Sequence, residues 1–254
     1  MSAPSFRLDD QIALVTGASR GIGRGLAKAL AAAGAKVAVA ARDLEALEEL
    51  AAEIAAANGA ALPLQLDVRD LDQINAAVDQ IVAHYGRLDI LVNNAGLGAN
   101  HPALAVSEDD WDEMMAVNLK GLFFCCQAAG RIMLAQKHGR IINMSSQAGV
   151  VGIRDHAVYS ASKGAVNQLT RVLALEWSAA GVTVNAVAPT FIYTPGTAER
   201  LDQPDYRQGV LQRLPIGRVG TIDDVAGAVI YLASPAAALV TGHVLLVDGG
   251  WTAQ

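Results

Sequence analysis

Residues 12–23 read Ile12-Ala13-Leu14-Val15-Thr16-Gly17-Ala18-Ser19-Arg20-Gly21-Ile22-Gly23. Four consecutive apolar residues suit a strand covered on both faces, the situation of a parallel sheet. A glycine-rich turn follows at once, and behind it begins a helical pattern. Such a strand–turn–helix unit aims backbone N–H groups and a helix N-terminus at an anion, as a pyrophosphate requires. The spacing is Gly17-x-x-x-Gly21-x-Gly23, one residue longer at its first gap than the common dinucleotide fingerprint. A tight turn of this kind can be purely steric. Placed after the first strand of an alternating chain, it points to a nucleotide, with Ser19, Arg20 and Ile22 beside the glycines.

Working outward, apolar runs alternate with amphipathic stretches along all 254 residues. Strands are expected at Ile12–Thr16, Lys36–Ala41, Leu62–Leu66, Leu88–Asn93, Arg140–Ser145, Thr183–Ala188 and His243–Val247. Helices are expected near Ile22–Ala33, Leu44–Ala57, Leu71–Tyr85, Ser107–Gln136, Val158–Ala179 and Ile222–Ser234. Ser107 with Asp110, and Thr221 with Asp224, resemble capping boxes built on the shorter acid. This order predicts α/β architecture: a single doubly wound, Rossmann-type domain over 1–254, with a mostly parallel, seven-stranded sheet flanked by helices. The segment 190–220 has no clear strand and reads as a long loop, a candidate substrate lid.

Composition narrows the classes. The net charge of −6 gives no basic face for nucleic acid. Mean hydropathy is positive, +0.30, yet no uninterrupted apolar run reaches the roughly 18 residues of a bilayer span, so no membrane partner is expected. Met1–Asp10 lacks the pattern of a signal peptide. The two cysteines, Cys125 and Cys126, are adjacent and fit an apolar helix core in a protein of the reducing cytoplasm. Five scattered histidines offer no metal-ligand spacing, so no metal is expected. Gly-x-Ser-x-Gly, the mark of a hydrolase nucleophile elbow, is absent.

The end of the second strand bears on cofactor choice. An acid there would bond the ribose 2′-hydroxyl of NAD(H). Here Ala41 holds that position, and Arg42 follows. With Arg20 in the glycine loop, two guanidiniums would suit the 2′-phosphate of NADP(H), which is favoured over NAD(H). Asp43 either caps the next helix or reaches the ribose.

Tyr159 and Lys163 are four residues apart, on one face of an expected helix. A cation beside a phenol lowers its pKa toward the range of general acid–base chemistry, although a surface Tyr and Lys would show the same spacing. Ser145-Ser146 and Asn93-Asn94-Ala95-Gly96 end two strands at the carboxyl edge, where such sheets hold ligands. Asn118 lies in an apolar stretch and needs a partner, structural or catalytic.

Taken in order, Thr16-Gly17-x-x-x-Gly21-x-Gly23, Asp67-Val68, Asn93-Asn94-Ala95-Gly96, Asn118, Ser146, Tyr159-x-x-x-Lys163, Pro189 with Thr194, and Val247-Asp248-Gly249-Gly250 resemble the short-chain dehydrogenase/reductase family over essentially the whole chain. The resemblance implies an NAD(P)-dependent oxidoreductase that moves hydride between a nicotinamide cofactor and a carbonyl or alcohol carbon. It implies Tyr159 as general acid or base, Ser146 as orienting the substrate oxygen, Lys163 as holding the nicotinamide ribose and lowering the tyrosine pKa, and Asn118 as supporting a proton-relaying water. Asp67 and Val68 would meet the adenine, Asn94 with Ala95 and Gly96 the adjacent ribose region, and Thr194 beside Pro189 the nicotinamide carboxamide. A homo-oligomer, commonly a tetramer, is implied. One departure stands out: Thr190 replaces the family's usual glycine after Pro189, and threonine resists positive φ, so that loop is expected to run differently.

The substrate is a small molecule, and Gln147, His156, Phe191 and Tyr193 are its candidate contacts. With Arg154 and Asp155 they suggest a polar ketone or polyol, and the ending Asp248-Gly-Gly-Trp251 is similar to family members acting on sugars and polyols. A 3-ketoacyl-thioester reductase is the alternative enzyme; it would need basic residues near the site, for which Arg131, Lys137 and Arg140 are available. A non-catalytic cofactor-sensing protein is the alternative of another class.

Overall fold

The computed structural model describes residues 4–98 and 100–253; the first three residues of the Met1–Asp10 reading, and Gln254, lie outside them. Among the described residues seven strands form one parallel sheet in the order β3-β2-β1-β4-β5-β6-β7. They are β1 Ile12–Thr16, β2 Lys36–Ala41, β3 Ala60–Gln65, β4 Ile90–Asn93, β5 Gly139–Met144, β6 Val182–Pro189 and β7 Val244–Val247. The helices that flank the sheet are α1 Gly21–Ala32, α2 Leu44–Ala56, α3 Leu71–Tyr85, α4 Glu108–Met115, α5 Leu122–Gln136, α6 Ala157–Trp177 and α9 Ile222–Ala233, with short α7 Pro195–Leu201 and α8 Pro204–Leu211 between β6 and α9.

The strands are apolar at successive positions because each face has its own core. Ala13, Val15, Val37, Val39, Ile90 and Val92 pack toward Leu26, Leu30, Leu50 and Val229. Their neighbours Ile12, Leu14, Ala38, Ala40 and Leu91 pack the other way, against Ile74, Ile81, Cys126, Met133 and Val166. The period of two thus divides one hydrophobic run between two layers. Chain order reverses between β1 and β4, which opens a crevice at their carboxyl ends. Both expected capping boxes are formed, at Ser107–Asp110 and Thr221–Asp224.

The structure refines three sequence expectations. The helix expected over Ser107–Gln136 runs without a break from Glu108 to Gln136, but as α4 and α5 on either side of a π-helical turn, Ala116–Gly121. A Cβ at Gly121 would lie 2.5 Å from the Val68 carbonyl oxygen, so the glycine lets this turn press against the strand-end loop, a tertiary contact that periodicity does not reveal.

The segment 190–220 is also not irregular. Pro195 and Pro204 open α7 and α8, since proline is tolerated in a first helical turn even though it breaks a helix interior. Its base is pinched by a parallel bridge between Ile192 and Gly220, with Tyr193 N–H donating to Gly220 O at 2.9 Å and Gly220 N–H to Phe191 O at 2.9 Å. Leu201, Val210, Leu214, Val219 and Trp251 are buried beneath it as a separate apolar cluster.

Finally, Thr190 has no positive φ, in keeping with threonine's resistance to it, and its N–H donates to Val247 O at 3.1 Å, extending the β6–β7 pairing.

Asp89, fully buried, accepts from Ile12 N–H at 2.9 Å and from the Arg87 guanidinium at 2.6 Å, tying the start of β1 to β4. Asp89→Ala is expected to lower stability by about 1–3 kcal/mol, because the Ile12 N–H loses its acceptor. Urea unfolding checks this; an unchanged midpoint would show that the bond contributes nothing.

Candidate active site

The glycine loop is shaped by what it touches. Gly17 has φ +65°, and a Cβ there would lie 2.8 Å from Ala95 Cα. A Cβ on Gly23 would overlap the Gly17 carbonyl oxygen and the Asn94 amide. Side-chain-free backbone is therefore obligatory at both positions. The Asn94 amide donates to Thr16 O at 3.0 Å and Gly17 O at 3.1 Å, while the Thr16 hydroxyl accepts from the N–H groups of Asn94 and Ala95, each at 3.1 Å. The side chain expected near the ribose is thus committed to the glycine loop, and Thr16, to which the sequence assigned no role of its own, is its counterpart.

At the N-terminus of α1, Arg20 is extended and caps no N–H with its side chain, leaving first-turn donors for an anion. Thr194 borders the same loop: its Cβ lies 3.8 Å from where a Gly21 Cβ would sit. Ser19 and Ile22 are partly buried in the turn. These features fit a dinucleotide pyrophosphate, with no side chain in the cradle to obstruct it.

Beside this cradle, the pairing of Thr16 with Ala40 brings the exposed Arg42 to the adjacent strand end. Asp43 caps α2 by accepting from Ala46 N–H at 3.1 Å, the first of its two readings. Asp67 is paired with Arg69 at 2.6 Å. That hydrogen bond holds its carboxyl below the usual range, and the charge of Arg42 adds in the same direction. Val68 is buried against Gly121.

On the other side of the crevice, α6 carries Tyr159 and Lys163. Lys163 is buried, and its ammonium donates to the Met144 carbonyl at 2.8 Å, 5.7 Å from the Tyr159 ring centre. Burial pulls the Lys163 pKa down to about 8. The loop after β4 closes over the pair. A Cβ on Gly96 would meet Asn118 Oδ1 at 3.4 Å and Lys163 Nζ at 3.7 Å, and Gly98 borders Tyr159 Cε2. Asn118 accepts from Leu97 N–H at 2.7 Å and donates to Leu97 O at 2.9 Å and to Ser162 Oγ at 3.2 Å. Its buried amide is structural in these contacts, and the π-helical turn sets it in place.

The two serines separate clearly. The Ser145 hydroxyl donates to Asn167 Oδ1 at 2.6 Å. The Ser146 hydroxyl, which accepts from Ala148 N–H at 3.1 Å, also interacts with the Tyr159 phenol. One electrostatic expectation is corrected. The Tyr159 pKa stands above its ordinary value, because burial raises it more than the Ser146 hydrogen bond lowers it. Burial disfavours both charged forms, whereas the sequence reading considered only the attraction between them.

Among the substrate candidates, Gln147 is buried in the turn after Ser146. His156 stands edge-on to Tyr159 with ring centres 6.1 Å apart, and its Nδ1 lies 2.6 Å from Arg154 O. A parallel bridge joins His156 to His101. Phe191 packs on Trp251 at 5.4 Å and on Tyr206 at 6.3 Å, so its ring belongs to the apolar cluster under 190–220. Tyr193 is half-exposed and donates to Asp202 at 3.1 Å. Met144 O and Ser162 were not singled out by sequence. A main-chain carbonyl leaves no trace in a side-chain pattern, and Trp251, quoted only as part of the C-terminal ending, gave no sign of its packing on Phe191. Among the described residues no three metal-ligating side chains gather, and no helix is long and apolar enough to cross a membrane.

Comparisons with known proteins agree with this geometry. Residues 17–252 match the family model described as enoyl-(acyl carrier protein) reductase. D-threitol dehydrogenase of Mycolicibacterium smegmatis is 44% identical over 97% of this chain and 95% of its own. A 3-oxoacyl-[acyl-carrier-protein] reductase of Synechocystis is 43% identical over 96% of this chain and 97% of its own. The crystal structure of a gluconate 5-dehydrogenase from Burkholderia cenocepacia, in complex with NADP and tartrate, superimposes with a TM-score of 0.95 at 40% identity, covering 99% of this chain and 98% of that one. The chain belongs to the short-chain dehydrogenase/reductase family. It is an NAD(P)-dependent oxidoreductase acting on alcohol and ketone groups of a small-molecule substrate.

In the cofactor-free protein the Tyr159 phenol is expected to ionise above pH 10, since burial disfavours phenolate. The ultraviolet difference titration of wild-type against Tyr159→Phe reads it directly. A value below 10 would mean that the Lys163 charge outweighs burial.

Proposed function

We propose that the protein interconverts a small polar ketone and its alcohol, or oxidises a polyol, with NADP(H) preferred to NAD(H). The observation that carries the reading is the convergence of Ser146, Tyr159 and Lys163 at the carboxyl edge of the sheet, across the crevice from the glycine cradle. The nicotinamide supplies or accepts the hydride when bound; the chain supplies position and a proton.

In reduction, Tyr159 O–H gives its proton to the carbonyl oxygen, which the Ser146 hydroxyl polarises and orients. In oxidation the proton returns to the same oxygen, so the alcohol direction calls for phenolate and speeds up as pH rises. Lys163 is cationic below its pKa of about 8 and holds the nicotinamide ribose while stabilising charge on the phenol. Asn118 keeps the loop after β4 over this pair and supports a water that passes protons to Lys163. Gly17, Ser19, Arg20, Gly21, Ile22 and Gly23 hold the pyrophosphate. Asp67 and Val68 border the adenine, Asn94, Ala95 and Gly96 the adjacent ribose, and Pro189 and Thr194 the carboxamide.

Arg20 and Arg42 flank the position of a ribose 2′-phosphate, and Asp43, engaged as a helix cap, does not compete for it. Gln147 and His156 form one wall of the substrate site, and Phe191 and Tyr193 belong to the lid of residues 190–220. The chain works as one domain and assembles as a homo-oligomer, a tetramer by family resemblance.

The ketoacyl-thioester alternative loses ground on its own criterion. Arg131, Lys137 and Arg140 sit late on α5, at its end and at the start of β5, so they lie toward the amino edge of the sheet, away from Ser146. A cofactor sensor would not require the Ser146–Tyr159–Lys163 assembly.

Tyr159→Phe is expected to lower kcat/KM by about 10²–10⁴-fold while leaving cofactor affinity, read by calorimetry, near the wild-type value. Surviving turnover would remove Tyr159 from the proton step. Arg42→Ala is expected to lower kcat/KM for NADPH by about 10-fold or more, with little effect on NADH. A wild-type enzyme that prefers NADH would overturn the cofactor assignment.

A further inference from the structure

Gln147 carries an anomaly. The residue is 2% exposed, and its Oε1 is buried with no hydrogen-bond partner. Among the described residues the amide makes no hydrogen bond to protein at all. The other buried carboxamides are tied to protein: Asn118 to Leu97, Asn143 to Thr170, Asn167 to Gly149 and Asn185 to Val240, while Asn93, whose Oδ1 is likewise unpartnered, still donates to Asn143. Leaving such a group unpaired costs about 1–3 kcal/mol, a cost that persists where a ligand completes the set.

The position indicates which ligand. Gln147 follows Ser146 directly, in the short turn at the carboxyl end of β5, so the amide and the hydroxyl that orients the reacting oxygen share one turn. A neutral carboxamide offers both a donor and an acceptor, which matches a hydroxyl group. A carboxylate or phosphate only accepts and would call for a cation. The nearby cation, Lys163, is already held by the Met144 carbonyl.

We propose that Gln147 recognises a second hydroxyl, on the carbon next to the one that reacts, so that the substrates are vicinal diols and the corresponding α-hydroxy ketones. This rests on the carbonyl–alcohol reading of the site and adds to it the substituent that the site requires. A pocket built to hydrogen-bond a hydroxyl rejects the analogue that lacks it, because its own polar group is then left unpaired.

The test compares 3-hydroxybutan-2-one, 4-hydroxybutan-2-one and butan-2-one as substrates, with the reduced cofactor saturating. In the wild-type enzyme kcat/KM for the 3-hydroxy ketone is expected to exceed both others by about 10-fold or more. In Gln147→Leu that advantage should collapse, and the melting temperature should not fall, because an amide without a protein partner is replaced by an apolar side chain of similar size. Calorimetry of butane-2,3-diol against butan-2-ol, on enzyme saturated with the oxidised cofactor, reads the same preference without turnover. Equal affinity for the two alcohols, or a Gln147→Leu variant that keeps the wild-type ratio, would overturn the proposal. So would a lower melting temperature, which would assign the amide a structural partner. Turnover surviving in Tyr159→Phe would instead strike the proton-transfer reading and leave the diol preference standing.

Discussion

The contact on which the site depends is the interlock of two loops at the carboxyl ends of β1 and β4. Thr16 and Gly17 of the first strand and Asn94 and Ala95 of the fourth exchange four hydrogen bonds, at a separation that admits no Cβ on Gly17 or Gly23. The sheet forces this meeting. β1 and β4 are neighbours although two strands separate them in sequence, and the reversal of strand order leaves their ends as the walls of a crevice. Besides the anion cradle proposed for it, the glycine loop is therefore the surface against which the loop after β4 is held. That second loop in turn covers Tyr159 and Lys163.

Burial then does chemical work on that pair. Both groups are driven toward their neutral forms, the phenol upward and the ammonium down to about 8. The price of holding Lys163 inside is offset in part by its bond to the Met144 carbonyl, a group at the end of β5 that is free because the strand stops there. A lysine near its own titration point can keep its charge at neutral pH and still respond to a nearby change in charge, which suits a group that assists proton transfer without being the donor. For stability the sign follows from the lowered lysine pKa. Between about pH 8 and the ordinary lysine value the unfolded chain binds the extra proton, so this group's contribution rises with pH.

How much was legible follows the range of the forces involved. The strands at Ile12–Thr16 and Lys36–Ala41 match the sequence reading because a continuous apolar run has few other homes than a doubly covered strand. The capping boxes at Ser107 and Thr221 are equally local. The helix read over 107–136 is present, but its π-helical turn was not legible, because it answers to a contact between Gly121 and Val68, which are distant in sequence. The reading of 190–220 as irregular failed for a different reason. Its prolines stand at the first turn of α7 and α8, where they start helices, and what holds those helices is the cluster with Trp251 at the other end of the chain.

By itself, then, the sequence determined the alternation of elements, the glycine loop and the Tyr159–Lys163 spacing, because each rests on backbone conformation and on contacts a few residues apart. Tertiary structure alone decided which serine faces the phenol, that Asn94 grips the glycine loop, and that Asp43 serves as a cap. It also decided that burial outweighs the Ser146 hydrogen bond at Tyr159 and that the Gln147 amide has no partner in the protein. These are outcomes of desolvation and of hydrogen bonds between elements far apart in the chain. Their sign depends on how closely the elements pack, a quantity that no residue pattern carries.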